Sequence, residues 1–290
     1  MYTMRPAEFI YRRPASLDEA ITMLAELEES RPLAGGHSLL PMMRLRLSTP
    51  QALVDLGGIT GLDRIADDND SLRIGALATH AAVAESELVQ AKCAVLAATA
   101  ALIGDRQVRN RGTIGGSVAH ADPAADYPTL LKALGAVVTA VGRDGEREIA
   151  ADKFFVDVFT TALQPGELVV SVQVPSTPAG TGAAYFKHRH PASSYAVVGV
   201  AALVSVEGGT CTRARLTVGG AVRTPVDATA AAEALVGASG SEDAIAAAAG
   251  RVAESLPDAI GDLYASAEYR VHLATVLAKR ALLAAFERAS

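Results

Sequence analysis

Two glycine-rich segments constrain this chain more than any other feature. The first glycine segment runs from Pro32 to Pro41, and the second glycine segment runs from Thr113 to Asp126. Each pairs adjacent glycines with hydroxyl residues, which lets backbone N–H groups close around a phosphate. Neither is a Walker loop, because no Gly-Lys-Ser/Thr follows, and neither has the G-x-G-x-x-G spacing of a Rossmann fingerprint. Two such segments in one chain predict a diphosphate held between two lobes.

Composition excludes several classes of partner and location. The chain of 290 residues has a net charge of −6 and no run of Lys or Arg, which argues against nucleic-acid binding. No apolar secretion segment follows the first Met, and the longest apolar stretch, 195–206, is about half the length of a bilayer span. Cys93 and Cys211 are the only cysteines, whereas an iron–sulfur cluster usually needs four thiolates. We expect a cytoplasmic protein with free thiols and no membrane span.

The order of helices and strands predicts two or three compact lobes. A capping box at Ser16 and Glu19 begins a helix, and Thr79 caps a later one. An alanine-rich helix is predicted over 92–103. The stretch 104–126 then reads as the longest irregular segment, and its length favours a functional loop.

A Pro/Gly cluster at 175–180 marks the predicted boundary between two domains. We expect the first domain over 1–177, with lobes of about 1–57 and 58–177, and the second over 178–290. Beyond the boundary the sequence predicts three strands and three helices: strands at 183–187, 196–206 and 214–218, and helices at 227–236, 242–255 and 267–288.

The second glycine segment carries the more specific chemistry. Thr113, Ser117 and the amides of Gly115 and Gly116 are predicted to face phosphate or ribose oxygens, and Asp126 to accept from ribityl hydroxyls, which favours FAD as the dinucleotide. The alternatives are a solvated loop here and a tight strand-to-helix turn in the first glycine segment. His188 and His190 share a strand face, but no carboxylate or cysteine joins them, so no metal site is expected.

At these two segments the sequence resembles the FAD-binding medium subunit of molybdenum hydroxylases, above all that of carbon monoxide dehydrogenases. The resemblance is carried by 34–46 and 109–117, and by Phe9-x-Tyr-x-x-Pro14, 166–170 and 262–270. It implies an α+β fold: a two-lobed FAD-binding domain of the vanillyl-alcohol-oxidase (PCMH) type, followed by a domain with a three-stranded antiparallel sheet and a three-helix bundle.

The resemblance also implies a set of cofactor-binding residues and one departure from the family pattern. Many relatives have an acidic residue where Ser194 stands. The implied residues hold the diphosphate, adenine side, ribityl chain or flavin ring: Ala34, Gly35, Gly36, His37, Ser38, Leu39, Ile103, Gly104, Val108, Thr113, Gly115, Gly116, Ser117, His120, Asp126, Val169, Val170, Lys187 and Tyr195.

The implied function is electron transfer, with no catalytic residue on this chain. A small subunit with two [2Fe–2S] clusters would deliver electrons to FAD, a large subunit would carry the molybdenum cofactor, and an external acceptor would take the electrons. The resemblance implies a dimer of such heterotrimers. It also implies that this chain can be associated with the inner face of the membrane through that complex. The alternatives are a stand-alone FAD-dependent oxidoreductase and an assembly protein without redox turnover. Substrate and acceptor stay open.

Overall fold

The computed structural model describes residues 5–289, and a small parallel sheet forms the first lobe. Its three strands lie in the order β1-β3-β2. They are β1 (Ile10–Arg12), β2 (Ser30–Leu33) and β3 (Ala52–Asp55). Helix α1 (Leu17–Glu26) crosses from β1 to β2 and begins where the Ser16 side chain accepts from the amide of Glu19. Helix α2 (Leu39–Arg44) and a 3-10 turn (Leu56–Gly58) flank β3.

An antiparallel sheet of five strands forms the second lobe, in the order β4-β5-β10-β6-β7. The strands of this lobe, including a separate two-stranded pair β8 and β9, are β4 (Ile65–Asp68), β5 (Ser71–Gly75), β6 (Val137–Gly142), β7 (Gly145–Ala150), β8 (Phe155–Asp157), β9 (Thr160–Thr161) and β10 (Leu168–Pro175). Its helices are α3 (His80–Glu85), α4 (Glu87–Lys92), α5 (Ala94–Ala101), α6 (Arg106–Arg109), α7 (Ile114–His120), α8 (Asp126–Leu134) and α9 (Ala151–Phe154).

The C-terminal part consists of an antiparallel sheet covered by helices. Its strands are β11 (Thr181–Arg189), β12 (Ala196–Glu207), β13 (Thr210–Gly219) and the short β14 (Val226–Asp227). Its helices are α10 (Thr229–Glu233), α11 (Glu242–Gly250) and α12 (Ala267–Ala289), with a 3-10 turn at Arg251–Ser255. The expected α+β class is confirmed, and β14 adds a two-residue fourth strand to the three long ones.

Close packing of α12 on the third sheet fixes the C-terminal part. A Cβ at Gly182 in β11 would lie 1.9 Å from the carbonyl oxygen of Ala285 in α12, so only glycine permits this approach. Buried apolar side chains on both elements, such as Ala184 and Leu282, form one continuous core there. A second large core lies between the five-stranded sheet and helices α3, α4, α5, α7 and α8.

One predicted feature in the second lobe is confirmed and another is wrong. The helix expected over 92–103 is α5 (Ala94–Ala101), which is separated from α4 at Cys93. The stretch 104–126 is not irregular, because it contains α6 and α7.

Side-chain caps explain α6 and α7, since Asp105 accepts from the amide of Val108 and Thr113 from the amide of Gly116. A Cβ built on Gly115 would lie only 2.4 Å from Ala76 Cβ, so α7 packs closely against Ala76. This packing offsets the low helix propensity of glycine, which is about 1 kcal/mol per residue.

Within residues 5–289, no helix has the combination of length and apolar character that crossing a membrane requires.

Candidate functional site

The first glycine segment leaves a run of backbone amides without partners. It links β2 to α2, and Gly36 takes a φ of +76°, a left-handed conformation that favours glycine. The amides of Gly35, Gly36, His37 and Ser38 donate no hydrogen bond to any residue among 5–289. Successive amides in such a turn form a concavity that binds anions.

The second glycine segment is used differently from the prediction. The amide of Gly116 donates to Thr113 Oγ1 at 3.1 Å, and the amide of Gly115 donates to the Ala76 carbonyl at 2.9 Å. The two amides that were predicted to face phosphate therefore already donate inside the chain, and the Thr113 hydroxyl, which accepts one of them, keeps its own proton to donate. Gly116 is closely packed, since a Cβ there would meet Thr113 Oγ1 at 2.8 Å and Ala34 Cβ at 3.6 Å.

The first glycine segment packs against Arg111 and Gly112, which directly precede the second glycine segment. A Cβ on Gly35 would lie 2.1 Å from the carbonyl oxygen of Arg111 and 2.8 Å from the α-carbon of Gly112. Gly35 is therefore small because backbone packs against it, which differs from the predicted reason of leaving room for a ligand. Together with the approach of Gly116 to Ala34, this contact puts the unpaired amides at the junction of the two lobes.

Three residues predicted for the adenine side gather in the turn before α6. Gly104 has a φ of +52°, and a Cβ on it would lie 2.7 Å from Val108 Cβ. The Arg109 guanidinium donates to the carbonyls of Ile103 and Gly104 at 3.1 and 3.2 Å. The amide of Gly112 donates to the Val108 carbonyl at 2.7 Å, which connects this turn to the contact with Gly35. A fixed cation thus lies close to the junction.

Sequence reasoning missed His80, which lies beside this contact. His80 is buried, and its amide donates to the Gly112 carbonyl at 2.9 Å. Burial lowers the pKa of His80 to about 4, and the charges of His37 and Arg109 act in the same direction, so the ring is neutral at pH 7. Its Nδ1 and the hydroxyl of the buried Tyr127 have no hydrogen-bond partner among the described residues, and their rings lie 5.4 Å apart. The sequence signal that could have identified His80 is its position directly after Thr79, which caps α3.

Asp126 and Lys187, both predicted for the cofactor, form a buried ion pair. Lys187 Nζ lies 2.8 Å from Asp126 Oδ2, and the two side chains are 3% and 5% exposed. The hydroxyl of Tyr185 donates to Asp126 Oδ1 at 2.8 Å. Burial raises the pKa of Asp126, and the Lys187 ammonium opposes that shift. Tyr185 was missed, although its spacing of two from Lys187 puts both on one face of β11.

Tyr195 lies in the C-terminal part between β11 and β12, and its ring is 36% exposed. Burial raises the pKa of its hydroxyl most, and the Ser38 side chain of the first glycine segment acts in the opposite direction.

The other predicted residues lie on the elements that border this junction. Leu39 begins α2, and the Ser117 amide donates to the Thr113 carbonyl. The Val170 carbonyl accepts from Ala76, which packs on Gly115, whereas Val169 is buried in the core. His120 ends α7, about 10 Å along the axis from Thr113.

Two other places do not contribute to this site. Among residues 5–289, no three His, Cys, Asp or Glu side chains are grouped as metal ligands, and His190 lies beyond the end of β11. An open cavity of about 440 Å³ at the edge of the second sheet is lined by Asp68 and Gln173, among others, and by no residue of either glycine segment.

The fold and the junction define a two-lobed domain suited to a dinucleotide. Four amides that have no partner among residues 5–289, together with a nearby guanidinium, match a diphosphate. The residues present therefore fit FAD.

Comparisons with known proteins agree with this class. Residues 6–177 match the family described as "FAD binding domain in molybdopterin dehydrogenase", and residues 183–285 match "CO dehydrogenase flavoprotein C-terminal domain". The carbon monoxide dehydrogenase medium chain of Afipia carboxidovorans is 38% identical over 99% of each chain. Subunit alpha of the 6-hydroxypseudooxynicotine dehydrogenase complex of Paenarthrobacter nicotinovorans is 39% identical over 99% of this chain and 97% of that one.

A solved structure shows the same architecture. In the carbon monoxide dehydrogenase of Hydrogenophaga pseudoflava, a chain 39% identical superposes with a TM-score of 0.94, covering 99% of this chain and 100% of that one. This chain belongs to the family of FAD-binding medium subunits of molybdopterin dehydrogenases. It is a flavoprotein subunit of an oxidoreductase, as the sequence resemblance implied.

Proposed function

We propose that this chain is the FAD-carrying electron-transfer subunit of a molybdenum hydroxylase. In this proposal it receives electrons from [2Fe–2S] clusters of a small partner subunit, a large partner subunit carries the molybdenum cofactor, and an external acceptor takes the electrons. When bound, FAD supplies the ability to accept electrons singly and to release two. The observation that carries the proposal is the run of unpaired amides from Gly35 to Ser38 at the contact of two lobes.

The chain's own part in this proposal is to bind and orient the cofactor. The amides of the first glycine segment hold the diphosphate, and the Arg109 guanidinium adds positive potential beside it. We assign the remaining residues of the resemblance to the same cofactor, and we take 1–177 and 178–290 as the two domains.

Partners and location extend the proposal. The two cysteines, Cys93 and Cys211, are both buried and free, which suits a division of labour in which another chain holds the clusters. Free thiols also suit a cytoplasmic location, with the complex able to dock at the inner face of the membrane. We propose a dimer of heterotrimers as the assembly.

The substrate of the complex stays outside this proposal. The two relatives at 38% and 39% identity have names that refer to carbon monoxide and to 6-hydroxypseudooxynicotine, two unrelated molecules. Similarity of this subunit therefore does not select a substrate, in keeping with a substrate pocket on the large partner subunit.

Purification of the native complex through a tag on this chain tests the proposal. The preparation is analysed for flavin, iron, molybdenum and the masses of co-purifying chains. The proposal requires flavin, iron and molybdenum together with two further chains. Flavin on this chain alone would instead favour a stand-alone oxidoreductase, and two partner chains without flavin would favour an assembly protein.

A further inference from the structure

The buried ring of His80 packs tightly against the backbone of Gly112. A Cβ built on Gly112 would lie 2.6 Å from His80 Nε2 and 2.8 Å from His80 Cδ2, so glycine is needed for the edge of the ring to come this close. The ring also packs against the ring of Tyr127, which is fully buried in α8, with centroids 5.4 Å apart. The imidazole is therefore held in place and limits where the Gly112 backbone can lie.

Backbone hydrogen bonds join the same two stretches of chain. The His80 amide donates to the Gly112 carbonyl at 2.9 Å, and the Ile114 amide donates to the Ala78 carbonyl at 3.0 Å. The residues between these bonds, Thr79 and Thr113, form an antiparallel bridge. The start of α3 thus holds the backbone at 112–114 through hydrogen bonds, and the His80 ring packs against the same backbone at Gly112.

Gly112 in turn packs against the start of the amide run in the first glycine segment. A Cβ built on Gly35 would lie 2.8 Å from the α-carbon of Gly112. The amides from Gly35 to Ser38 donate to no residue among 5–289, so hydrogen bonds from these amides do not fix their positions. Packing against Gly112 therefore has to supply part of that order, and a site binds a ligand more tightly when its donors are held in place beforehand.

From these contacts we propose that His80 is a positioning residue, whose ring holds the Gly112 backbone against Gly35 and so sets the place of the amides from Gly35 to Ser38. Its Nδ1 has no hydrogen-bond partner among residues 5–289, so the imidazole acts here through its size and shape. The ring itself does not need to touch the cofactor. The inference rests on the proposed function, because it takes those amides as the diphosphate site.

A size-compensation experiment in the full-length chain tests this role. The variants are His80→Ala, Gly112→Ala and the two combined, with FAD affinity measured by titration and stability by urea unfolding. Gly112 does not have a positive φ, so its backbone accepts alanine. Val252→Ala is the matched control for lost buried volume, since Val252 lies in the core of the C-terminal part.

Each single change is expected to weaken FAD binding by about tenfold, for opposite reasons. His80→Ala leaves a space into which Gly112 can move, and Gly112→Ala adds a methyl group that collides with the ring. In the combined variant the methyl group occupies the space that the ring leaves, so affinity is expected to return to within about threefold of wild type. Val252→Ala is expected to lower the free energy of unfolding and to leave FAD affinity unchanged.

Two results of the titrations would overturn the positioning role. One is a combined variant that binds FAD no more tightly than either single variant, which would show that the two sites do not act through one contact. The other is wild-type affinity in Gly112→Ala, which keeps the imidazole and changes only the space beside it.

Amide hydrogen exchange of the FAD-free chain separates this inference from the proposed function. His80→Ala is expected to speed exchange of the Gly112 amide, which is bonded to the Val108 carbonyl, by about tenfold relative to wild type and Val252→Ala. The combined variant is expected to reverse most of that change, and unchanged exchange in His80→Ala would refute the positioning of Gly112. A wild-type chain that binds no FAD would refute the proposed function, and the exchange result would still decide whether the ring holds Gly112.

Discussion

Replacing Gly35 by alanine tests the packing of the first glycine segment against the backbone at Arg111. The new methyl group would lie 2.1 Å from the Arg111 carbonyl oxygen, and relief of that clash to 3.0 Å requires the two stretches of backbone to part by about 0.9 Å. Overpacking of this kind costs about 1–3 kcal/mol, and the stiffer unfolded chain returns up to about 1 kcal/mol. The free energy of unfolding is therefore expected to fall by about 1–2 kcal/mol. FAD affinity is expected to fall by at least about tenfold, because the amides move relative to Gly116.

Urea unfolding of the FAD-free chain and titration with FAD measure the two effects. Gly250→Ala is the control, because a Cβ at that helical position meets nothing within 4 Å. It is expected to raise the free energy of unfolding by up to about 1 kcal/mol and to leave FAD affinity unchanged. A Gly35→Ala chain as stable as wild type, with the same affinity for FAD, would refute the packing argument.

Three further changes probe the surroundings of the junction. Gly116→Val is expected to abolish FAD retention after gel filtration, because its side chain fills the approach between Thr113 and Ala34; full flavin occupancy would contradict the assignment. His80 has a pKa of about 4 in the fold, and of about 6.5 in the unfolded chain. The His80 side chain therefore does not lower the free energy of unfolding above about pH 6.5. As the pH falls from 6.5 through 4, the free energy of unfolding decreases by up to about 3 kcal/mol. His80→Phe should flatten that part of a urea-unfolding pH profile, and an unchanged profile would rule His80 out as its source. Tyr127→Phe removes a buried hydroxyl that has no partner among residues 5–289, so the free energy of unfolding is expected to rise by about 1 kcal/mol; a fall of that size would show that the hydroxyl is bonded.

Local signals in the sequence were sufficient where a side chain acts on its own neighbourhood. The cap at Ser16 and the cap at Thr79 are both present in the structure. Each depends on a few consecutive residues, whose preferences act before any tertiary contact forms.

The expectation of an irregular stretch over 104–126 was wrong because α7, which lies within it, depends on tertiary contacts. Adjacent glycines disfavour a helix, yet Gly115 is needed where α7 packs against Ala76. The same contact uses the Gly115 amide, which sequence reasoning had assigned to phosphate. Glycine leaves room for backbone as readily as for a ligand, and the sequence alone does not distinguish the two.

Contacts between distant parts of the chain were beyond sequence reasoning for a related reason. Asp126 and Lys187 are both predicted cofactor residues, and the pairing between them appears only when the C-terminal sheet packs against α8. Such contacts depend on the topology, which residue spacing does not specify.

Exchange of the backbone amides from Gly35 to Ser38, measured with and without FAD, tests the central claim most directly. These amides have no partner among residues 5–289, so they are expected to exchange rapidly in the FAD-free chain. If they hold the diphosphate, saturating FAD is expected to slow their exchange by about 100-fold or more, while the Gly115 amide, already bonded to Ala76, changes little. FAD that binds with full occupancy and leaves the exchange of Gly35 to Ser38 unchanged would contradict the account.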